Sequence, residues 1–222
     1  MATWIAHLRV AENLLNKGFN FDVSSFLIGN IGPDSGVPNE DYSSFYPPRE
    51  ITHWEKNKIS DAEGFFNKYI QNAHPITDKN EFSFKIGYYT HLLTDIEWRK
   101  LYEAKKKTPL YKENLDKDKK FIWVIKDDWY GLDFLYLDQN PNCYFFKVFK
   151  NVSEVPDYLD YFPKGAFTKS VKNICEYYLG ENTLTKENFK YLTEEEMNKF
   201  IENATNTIEI ILKEKLKNLN LN

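Results

Sequence analysis

The alternation of apolar and polar positions along the chain predicts helices separated by loops. Residues three or four positions apart share one face of a helix, so apolar residues at that spacing predict a helix with one buried side. In the first half of the chain, this spacing predicts helices over residues 3–17, 61–75 and 78–104. Gly18 tolerates a left-handed conformation and ends the first helix, and Asp61 is a suitable N-cap for the second.

The second half of the chain continues the helical pattern. Residues 118–137 are apolar nearly all round, which favours a buried helix, although their many aromatic and β-branched side chains leave a strand as an alternative. Residues 166–179 are amphipathic up to Gly180, and Thr193 opens a capping box for a last helix that reaches about residue 216.

The segments between the helices are long and rich in aromatic residues, glycine or proline. Three segments are predicted as turns or loops: residues 26–28, 29–38 and 42–48. A further helix is expected to begin over residues 50–56, just past two prolines. The pattern predicts an all-α fold, a single multi-helix domain over residues 1–222 with a helical C-terminal half at 115–218.

Composition narrows the class of protein. With 42% hydrophobic and 17% aromatic residues, the 222-residue chain can bury a sizeable core. Its formal charge of -4, from 29 basic and 33 acidic residues, gives no strong signal for nucleic-acid binding. No segment approaches the roughly 20 apolar residues of a membrane span. Cys143 and Cys175 lie outside any CxxC pattern, so we expect a cytoplasmic protein without a disulfide.

The stretch GYYTHLLTDIEW, at residues 87–98, places two good metal ligands one helical turn apart. A nitrogen of His91 and an oxygen of Asp95 can converge on one cation, because residues four apart share a helix face. Gly87 lies on the same face one turn earlier, and its missing side chain is expected to leave open space beside the pair. A buried carboxylate among apolar residues is costly unless a cation compensates it. The stretch therefore predicts half of a metal site.

Other candidate ligands precede this helix in the chain. The full set comprises three imidazoles and two carboxylates: His7, Asp34, His53, His91 and Asp95. Taken singly, Asp34 is also typical of a turn, and His7 and His53 are also typical of packed or helix-start histidines. Together the five residues form the borderline nitrogen and oxygen ligand set that suits zinc. His74 precedes a proline at a helix end, where the helix dipole favours it, and we leave it out of the site.

Four features occur in a characteristic order: a histidine in the first helix, FLIGNIGPDSG at 26–36, ITHW at 51–54 and GYYTHLLTDIEW at 87–98. This order resembles the zinc-dependent phospholipase C superfamily, which also contains the fungal single-strand nucleases. The resemblance covers roughly residues 1–102. It implies a phospholipase C/nuclease-like helical bundle that hydrolyses a phosphoester.

The resemblance also implies roles for individual residues. Asp34, His53, His91 and Asp95 correspond to the ligands of one zinc ion. His7 corresponds to a ligand that shares the aspartate with a neighbouring zinc, so Asp95 is expected to bridge two metals. One or two zinc ions, or another divalent metal, are therefore the expected cofactor.

The sequence departs from the family pattern in two places. Secreted members bind metal through the amino group of an N-terminal tryptophan, whereas Trp4 follows three residues here. Family members also carry further histidines after the HxxxD motif, but this chain has none after His91. Asp127, Asp128 and Asp133 are the candidate substitutes, although exposed acids on an amphipathic helix are the ordinary explanation for them.

The expected chemistry is attack of a metal-activated water on phosphorus, with Asp34 orienting the water as a general base. Trp54, Trp98 and Tyr88 are candidates for the wall of a substrate pocket, with core packing as their alternative role. The substrate is predicted to be a small-molecule or lipid phosphoester, and the oligomeric state is left open. Two other functions are considered: a helical protein with a structural or regulatory metal and no turnover, and a metal-free helical interaction protein.

Overall fold

The structure is a computed structural model that describes residues 1–40, 44–181 and 188–220. Helices dominate it, which confirms the all-α prediction. In chain order the described helices are α1 (Trp4–Asn16), α2 (Val23–Gly29), α3 (Arg49–Thr52), α4 (Ala62–Phe66), α5 (Lys79–Lys106), α6 (Pro109–Lys117), α7 (Ile122–Gln139), α8 (Tyr144–Lys147), α9 (Ala166–Leu179) and α10 (Glu194–Asn218). Tighter or wider helical turns occupy Gly32–Asp34, Asn67–Gln71, Lys119–Phe121 and Phe149–Asn151.

Two small antiparallel hairpins flank α3. Strand β1 (Val37–Pro38) pairs with β2 (Phe45–Tyr46), and β3 (Glu55–Lys56) pairs with β4 (Ile59–Ser60). The two residues between β3 and β4 both have positive φ, as a two-residue hairpin turn requires. The predicted loop over 42–48 is thus partly strand, and its positions 42 and 43 lie outside the described residues.

Helix α5 is the central element, because it packs against α1, α2, α4, α6 and α10. Its first turn is capped by Asp78, whose side chain accepts a hydrogen bond from the Asn80 amide at 2.8 Å. Thirteen consecutive residues from Ser83 to Asp95 are buried. A helix buried on all sides in this stretch carries His91 and Asp95 into the interior.

Gly87 has a different role from the one expected. A Cβ at this position would lie 2.3 Å from the Phe26 carbonyl oxygen and 3.0 Å from the Gly29 Cα. The missing side chain therefore allows close packing of α5 on α2 and leaves no open space for a ligand. Residues 26–28, predicted as a turn, belong to α2. Asp22 caps that helix by accepting a hydrogen bond from the Ser25 amide at 2.8 Å.

The structure also shows the secondary structure of two other segments for which the sequence makes a prediction. Residues 50–56 were expected to begin a helix, but α3 ends at Thr52 and the chain turns into β3. Residues 119–137 are helical, so the strand alternative for residues 118–137 is wrong. Aromatic side chains of α7 pack in the core, as where Trp129 meets Trp98 edge-on at 5.0 Å, and tertiary burial outweighs β-propensity here.

Buried apolar side chains from both halves of the chain belong to one hydrophobic core. The predicted capping box of α10 is formed: the Thr193 hydroxyl accepts from the Glu196 amide, and the Glu196 carboxylate accepts from the Thr193 amide. Cys143 and Cys175 are free thiols, as predicted. Within the described residues, none of the helices has the length and apolar character needed to cross a membrane.

Candidate metal centre

Four elements bring the five predicted metal ligands together. They are α1 with His7, the turn after α2 with Asp34, the end of α3 with His53, and α5 with His91 and Asp95. Their side chains are 6% exposed or less. These residues, called the metal-ligand cluster below, are His7, Asp34, His53, His91 and Asp95.

Several distances between ligand atoms of the cluster are close to those of a tetrahedral zinc site. With metal–ligand bonds of about 2.0–2.1 Å, the edges of such a site measure about 3.3 Å. His53 Nε2 lies 3.1 Å from Asp34 Oδ1 and 3.3 Å from His91 Nε2. Asp95 Oδ2 lies 3.7 Å from His53 Nε2 and 3.8 Å from His91 Nε2. Asp34, His53 and His91 form one group whose ligand atoms all lie within 4.8 Å of one another, and His7, His91 and Asp95 form a second.

His53 and His91 are both held by hydrogen bonds on their far side. His91 Nδ1 lies 2.7 Å from the carbonyl oxygen of Asn30. Because a carbonyl can only accept, Nδ1 carries the proton and Nε2 presents its lone pair to the cluster. His53 Nδ1 lies 3.0 Å from the Thr52 hydroxyl. Such contacts orient ligand imidazoles in metal sites.

The contacts of His53 Nε2 cannot all be satisfied by protein groups. Arg49 Nη1, which can only donate, is 3.0 Å away, and Asp34 Oδ1, an acceptor when ionised, is 3.1 Å away. A neutral ring nitrogen either accepts or donates, so one of these contacts is unfavourable in either tautomer. The lone pair of His91 Nε2 adds a further acceptor at 3.3 Å. A cation between these atoms would satisfy all of the acceptors.

Several buried atoms of the cluster have no hydrogen-bond partner among the described residues. They are both ring nitrogens of His7 and Oδ2 of Asp34. Buried polar atoms are almost always paired, so orphans concentrated in one place need an explanation. The donor set, its spacing and its orphaned atoms together fit a bound divalent cation.

Asp95 presents its two oxygens to different partners. Oδ2 faces His53 and His91, whereas Oδ1 lies 3.5 Å from His7 Nε2 and accepts a hydrogen bond from the Ala2 amide at 2.9 Å. This arrangement has the form expected of a bridging carboxylate. On the Oδ1 side, however, the described potential ligands beyond Asp95 are His7 and His91 alone. Since His91 also belongs to the group with Asp34 and His53, the donor set fits one ion better than two.

Burial and neighbouring charges set the protonation states of two residues of the cluster, His91 and Asp95. Burial, together with the stacked His7 ring 3.8 Å away, lowers the pKa of His91 to about 3, so His91 is neutral near pH 7. Burial alone would raise the pKa of the Asp95 carboxyl. The terminal amino group and the neighbouring His7 and His91 outweigh that effect and hold this pKa well below its usual range.

A strained turn places the residues that surround His53. Trp54 has a φ of +53°, a left-handed conformation that costs a bulky residue roughly 1–3 kcal/mol. It directs the chain from α3 into β3, where Glu55 accepts a hydrogen bond from Arg49 Nε at 2.6 Å. Arg49 Nη2 donates to Asp95 Oδ2 at 3.2 Å. The turn therefore fixes both His53 and the guanidinium group above the cluster.

Asp127, Asp128 and Asp133 do not join the cluster in the structure. Neither group of potential metal ligands among the described residues includes them. Asp128 accepts a hydrogen bond from the Tyr191 amide at 2.5 Å. Asp133 accepts from the hydroxyl of Thr3 at 2.7 Å and from that of Tyr178 at 2.5 Å. Asp128 and Asp133 thus tie α7 to other parts of the fold.

The three aromatic candidates for a substrate pocket occupy different places. Trp98 is 2% exposed and packs against Trp129 and Phe200, so it belongs to the core instead of a pocket wall. Tyr88 is also buried, and its hydroxyl donates to the Thr52 carbonyl beside His53. Trp54 does line a cavity of about 460 Å³. The aromatic residues Tyr69 and Tyr161 and several charged side chains form the rest of its wall.

Three residues around the cluster were not predicted from the sequence. Asn30 and Thr52 orient the ligand histidines through a backbone carbonyl and a hydroxyl, and such contacts leave no sequence signal. Arg49 did leave one, because it lies four residues before His53 and so shares its side of the short helix α3. A basic residue one helical turn before a candidate ligand histidine is the sequence feature by which Arg49 could have been predicted.

Comparison of the chain with protein-family models, with curated proteins and with solved structures finds no match. The resemblance to the zinc-dependent phospholipase C superfamily stays a prediction from the motifs, and the geometry of the cluster is the independent observation about function.

Proposed function

We propose that this chain is a metal-dependent hydrolase of phosphoesters with a phospholipase C-like active site. Zinc is the proposed metal. One observation carries the proposal: His53 Nε2 lies 3.1 Å from Asp34 Oδ1, 3.3 Å from His91 Nε2 and 3.7 Å from Asp95 Oδ2, and protein groups alone do not satisfy all of its contacts. The order of the ligands along the chain supports a phospholipase C/nuclease-like fold. Lipid and small-molecule phosphoesters are both compatible with this chemistry.

The residues of the cluster divide the work between binding and proton transfer. His53 and His91 would hold the ion through Nε2, and Asp34 and Asp95 through one oxygen each, so a coordinated water would be a fifth ligand. When bound, a divalent cation polarises phosphoryl oxygens and lowers the pKa of a coordinated water from 15.7 toward about 7. Asp34 Oδ2 has no partner among the described residues. It is free to accept a hydrogen bond from the attacking water and orient it.

The proposal is tested by metal content and activity in a matched pair of histidine variants. We expect elemental analysis to find stoichiometric zinc in the wild type and in His74→Ala, and none in His91→Ala. The zinc-loaded wild type is expected to hydrolyse bis-nitrophenyl phosphate, and a chelator is expected to abolish that activity. Wild-type protein without metal, or metal retained in His91→Ala, would refute the site.

A second function, a structural metal without turnover, has one observation in its favour. His7 and His91 are fully buried, and Asp95 is 4% exposed. Such burial limits the access of water and substrate, which a catalytic zinc needs at an open coordination position. Zinc-loaded protein that is inert toward a broad panel of phosphoesters, yet melts at a lower temperature after chelation, would favour this second function.

A further inference from the structure

Arg49 approaches the metal-ligand cluster from the solvent side. Its side chain is 35% exposed, whereas Asp95 beneath it is 4% exposed. The Nε atom of Arg49 donates to Glu55 Oε1 at 2.6 Å, which anchors the guanidinium plane. The two terminal nitrogens, Nη1 and Nη2, are thereby directed toward the cluster.

These two nitrogens contact the same atoms that the proposed metal centre uses. Nη1 is 3.0 Å from His53 Nε2, and Nη2 donates to Asp95 Oδ2 at 3.2 Å. A ring-nitrogen lone pair that binds a cation cannot also accept a hydrogen bond. Metal binding would therefore release Nη1 of Arg49, and Nη2 keeps a second N–H besides the one that it donates to Asp95. Glu55 keeps the guanidinium group at the edge of the centre.

A second basic residue lies near this edge. Burial lowers the pKa of Lys126, on α7, and the Lys126 charge interacts with those of Arg49 and Asp34. The charged groups here are three acids, Asp34, Glu55 and Asp95, and three cations, Arg49, Lys126 and the terminal amino group, which lies 3.8 Å from Asp95 Oδ1. One divalent cation changes their net charge from zero to positive. The solvent side of the loaded centre would thus attract an anion.

We propose that Arg49 binds the anionic oxygens of the phosphoryl group at the loaded centre. Two parallel N–H groups on a planar cation match two phosphate oxygens, which a single ammonium group does not. Arg49 accordingly selects phosphomonoesters and phosphodiesters, which carry negative charge, over uncharged phosphotriesters. This assignment rests on the proposed function and specifies the substrate class for the same site.

The test measures binding of inorganic phosphate to zinc-loaded protein by titration calorimetry. We expect Arg49→Gln to weaken phosphate binding by about 10- to 100-fold, the usual range for losing a charged hydrogen-bond pair. The phosphate affinity of Arg49→Lys should lie between those of Arg49→Gln and the wild type, because lysine keeps the positive charge but lacks the two parallel N–H groups. Arg99→Gln is the matched control, since Arg99 bonds the Lys58 carbonyl on the surface.

Zinc content separates a recognition role from a structural one. We expect Arg49→Gln to bind zinc at least as tightly as the wild type, because the guanidinium group no longer competes for His53 and Asp95. We also expect a higher KM for a phosphodiester and an unchanged KM for a phosphotriester. Unchanged phosphate affinity in zinc-loaded Arg49→Gln, or loss of zinc from it, would overturn the Arg49 assignment alone. Wild-type protein that binds no zinc would overturn the proposed function and this assignment together.

Discussion

Asp95 and Asp133 are both buried acids, and the chain links them through adjacent residues, yet their surroundings differ. The Ala2 amide donates to Asp95, and the Thr3 hydroxyl donates to Asp133. Asp95 lies among three imidazoles with orphaned or conflicting contacts. Each oxygen of Asp133, by contrast, accepts a hydrogen bond from a hydroxyl group.

The pKa values of the two carboxyls are displaced in opposite directions. Burial would raise both, but neighbouring positive charge and imidazoles hold the pKa of Asp95 well below its usual range. For Asp133, burial prevails over the hydrogen bonds from Tyr178 and Thr3 and raises the pKa to about 7. Burial of an acid therefore does not identify a metal ligand. Convergence with imidazoles whose nitrogens lack partners is the feature that makes Asp95 a candidate ligand.

The largest expected effect that separates the two acids is on metal content. Asp95→Asn removes a charge and an ionised oxygen from the centre, so we expect zinc to be lost. Asp133→Asn makes the same chemical change 38 positions along the chain, outside the cluster, so we expect wild-type zinc content. Elemental analysis of the two purified variants measures the difference. Loss of zinc from both variants would show that the two acids act as one site.

The residues of the candidate metal centre could be proposed from the sequence because their identity and spacing suit metal binding. His91 and Asp95 are four residues apart on a helix, and Asp34 and His53 occur in ordered motifs. The failed substitutes show the limit of this reasoning. Asp133 is an acid in an aromatic helix, but its partners, Thr3 and Tyr178, are 130 and 45 residues away. Only tertiary packing decides whether such an acid meets hydroxyls or imidazoles.

The helices were similarly predictable and the irregular segments were not. Caps such as Thr193 and Asp61 leave local signals, and both are formed in the structure. The end of α3 at Thr52 depends on the left-handed backbone conformation of Trp54. A bulky aromatic residue rarely adopts this conformation. The packing role of Gly87 could not be predicted, because a glycine in the sequence is equally compatible with open space at a site and with close packing of two helices.

The second prediction concerns the pH dependence of stability in chelator-treated protein. His91 has a folded pKa of about 3, below its ordinary 6.5, so its contribution to stability is lost as the pH falls from 6.5. Asp133 has a folded pKa of about 7, above its ordinary 3.8, so its contribution is lost as the pH rises toward 7. Each slope is at most about 1.4 kcal/mol per pH unit.

These opposing slopes overlap between about pH 4 and 6.5 and partly cancel in the wild type. We expect Asp133→Asn to gain stability relative to the wild type as the pH rises through this range. His91→Gln should show the reverse trend, with its largest relative gain toward low pH. Urea unfolding at a series of pH values measures both free energies. Parallel curves for the wild type and Asp133→Asn would mean that Asp133 does not titrate in this range.

The smallest expected effect is confined to the Asp133 contacts. Tyr178 is buried, and Tyr178→Phe removes one of the two hydroxyls that serve this acid while keeping the ring. Leaving a buried carboxyl oxygen short of a partner costs about 1–3 kcal/mol. We expect urea unfolding to show that loss. Tyr177→Phe, at the neighbouring position that is 39% exposed, should change stability by less than about 0.5 kcal/mol.

The zinc content of Tyr178→Phe tests whether Asp133 and Asp95 are coupled. Thr3 is one residue from Ala2, so a shift of the chain at Thr3 could reach the Ala2 amide and its hydrogen bond to Asp95. We expect Tyr178→Phe to keep its zinc, because Asp95 is also held by α5 and by contacts with His7 and Arg49. Reduced zinc affinity in Tyr178→Phe, with Tyr177→Phe unchanged, would instead mean that the two acids are coupled through the first turn of α1. In that case Asp133 would act as a positioning residue for the metal centre, although it contacts none of the ligands.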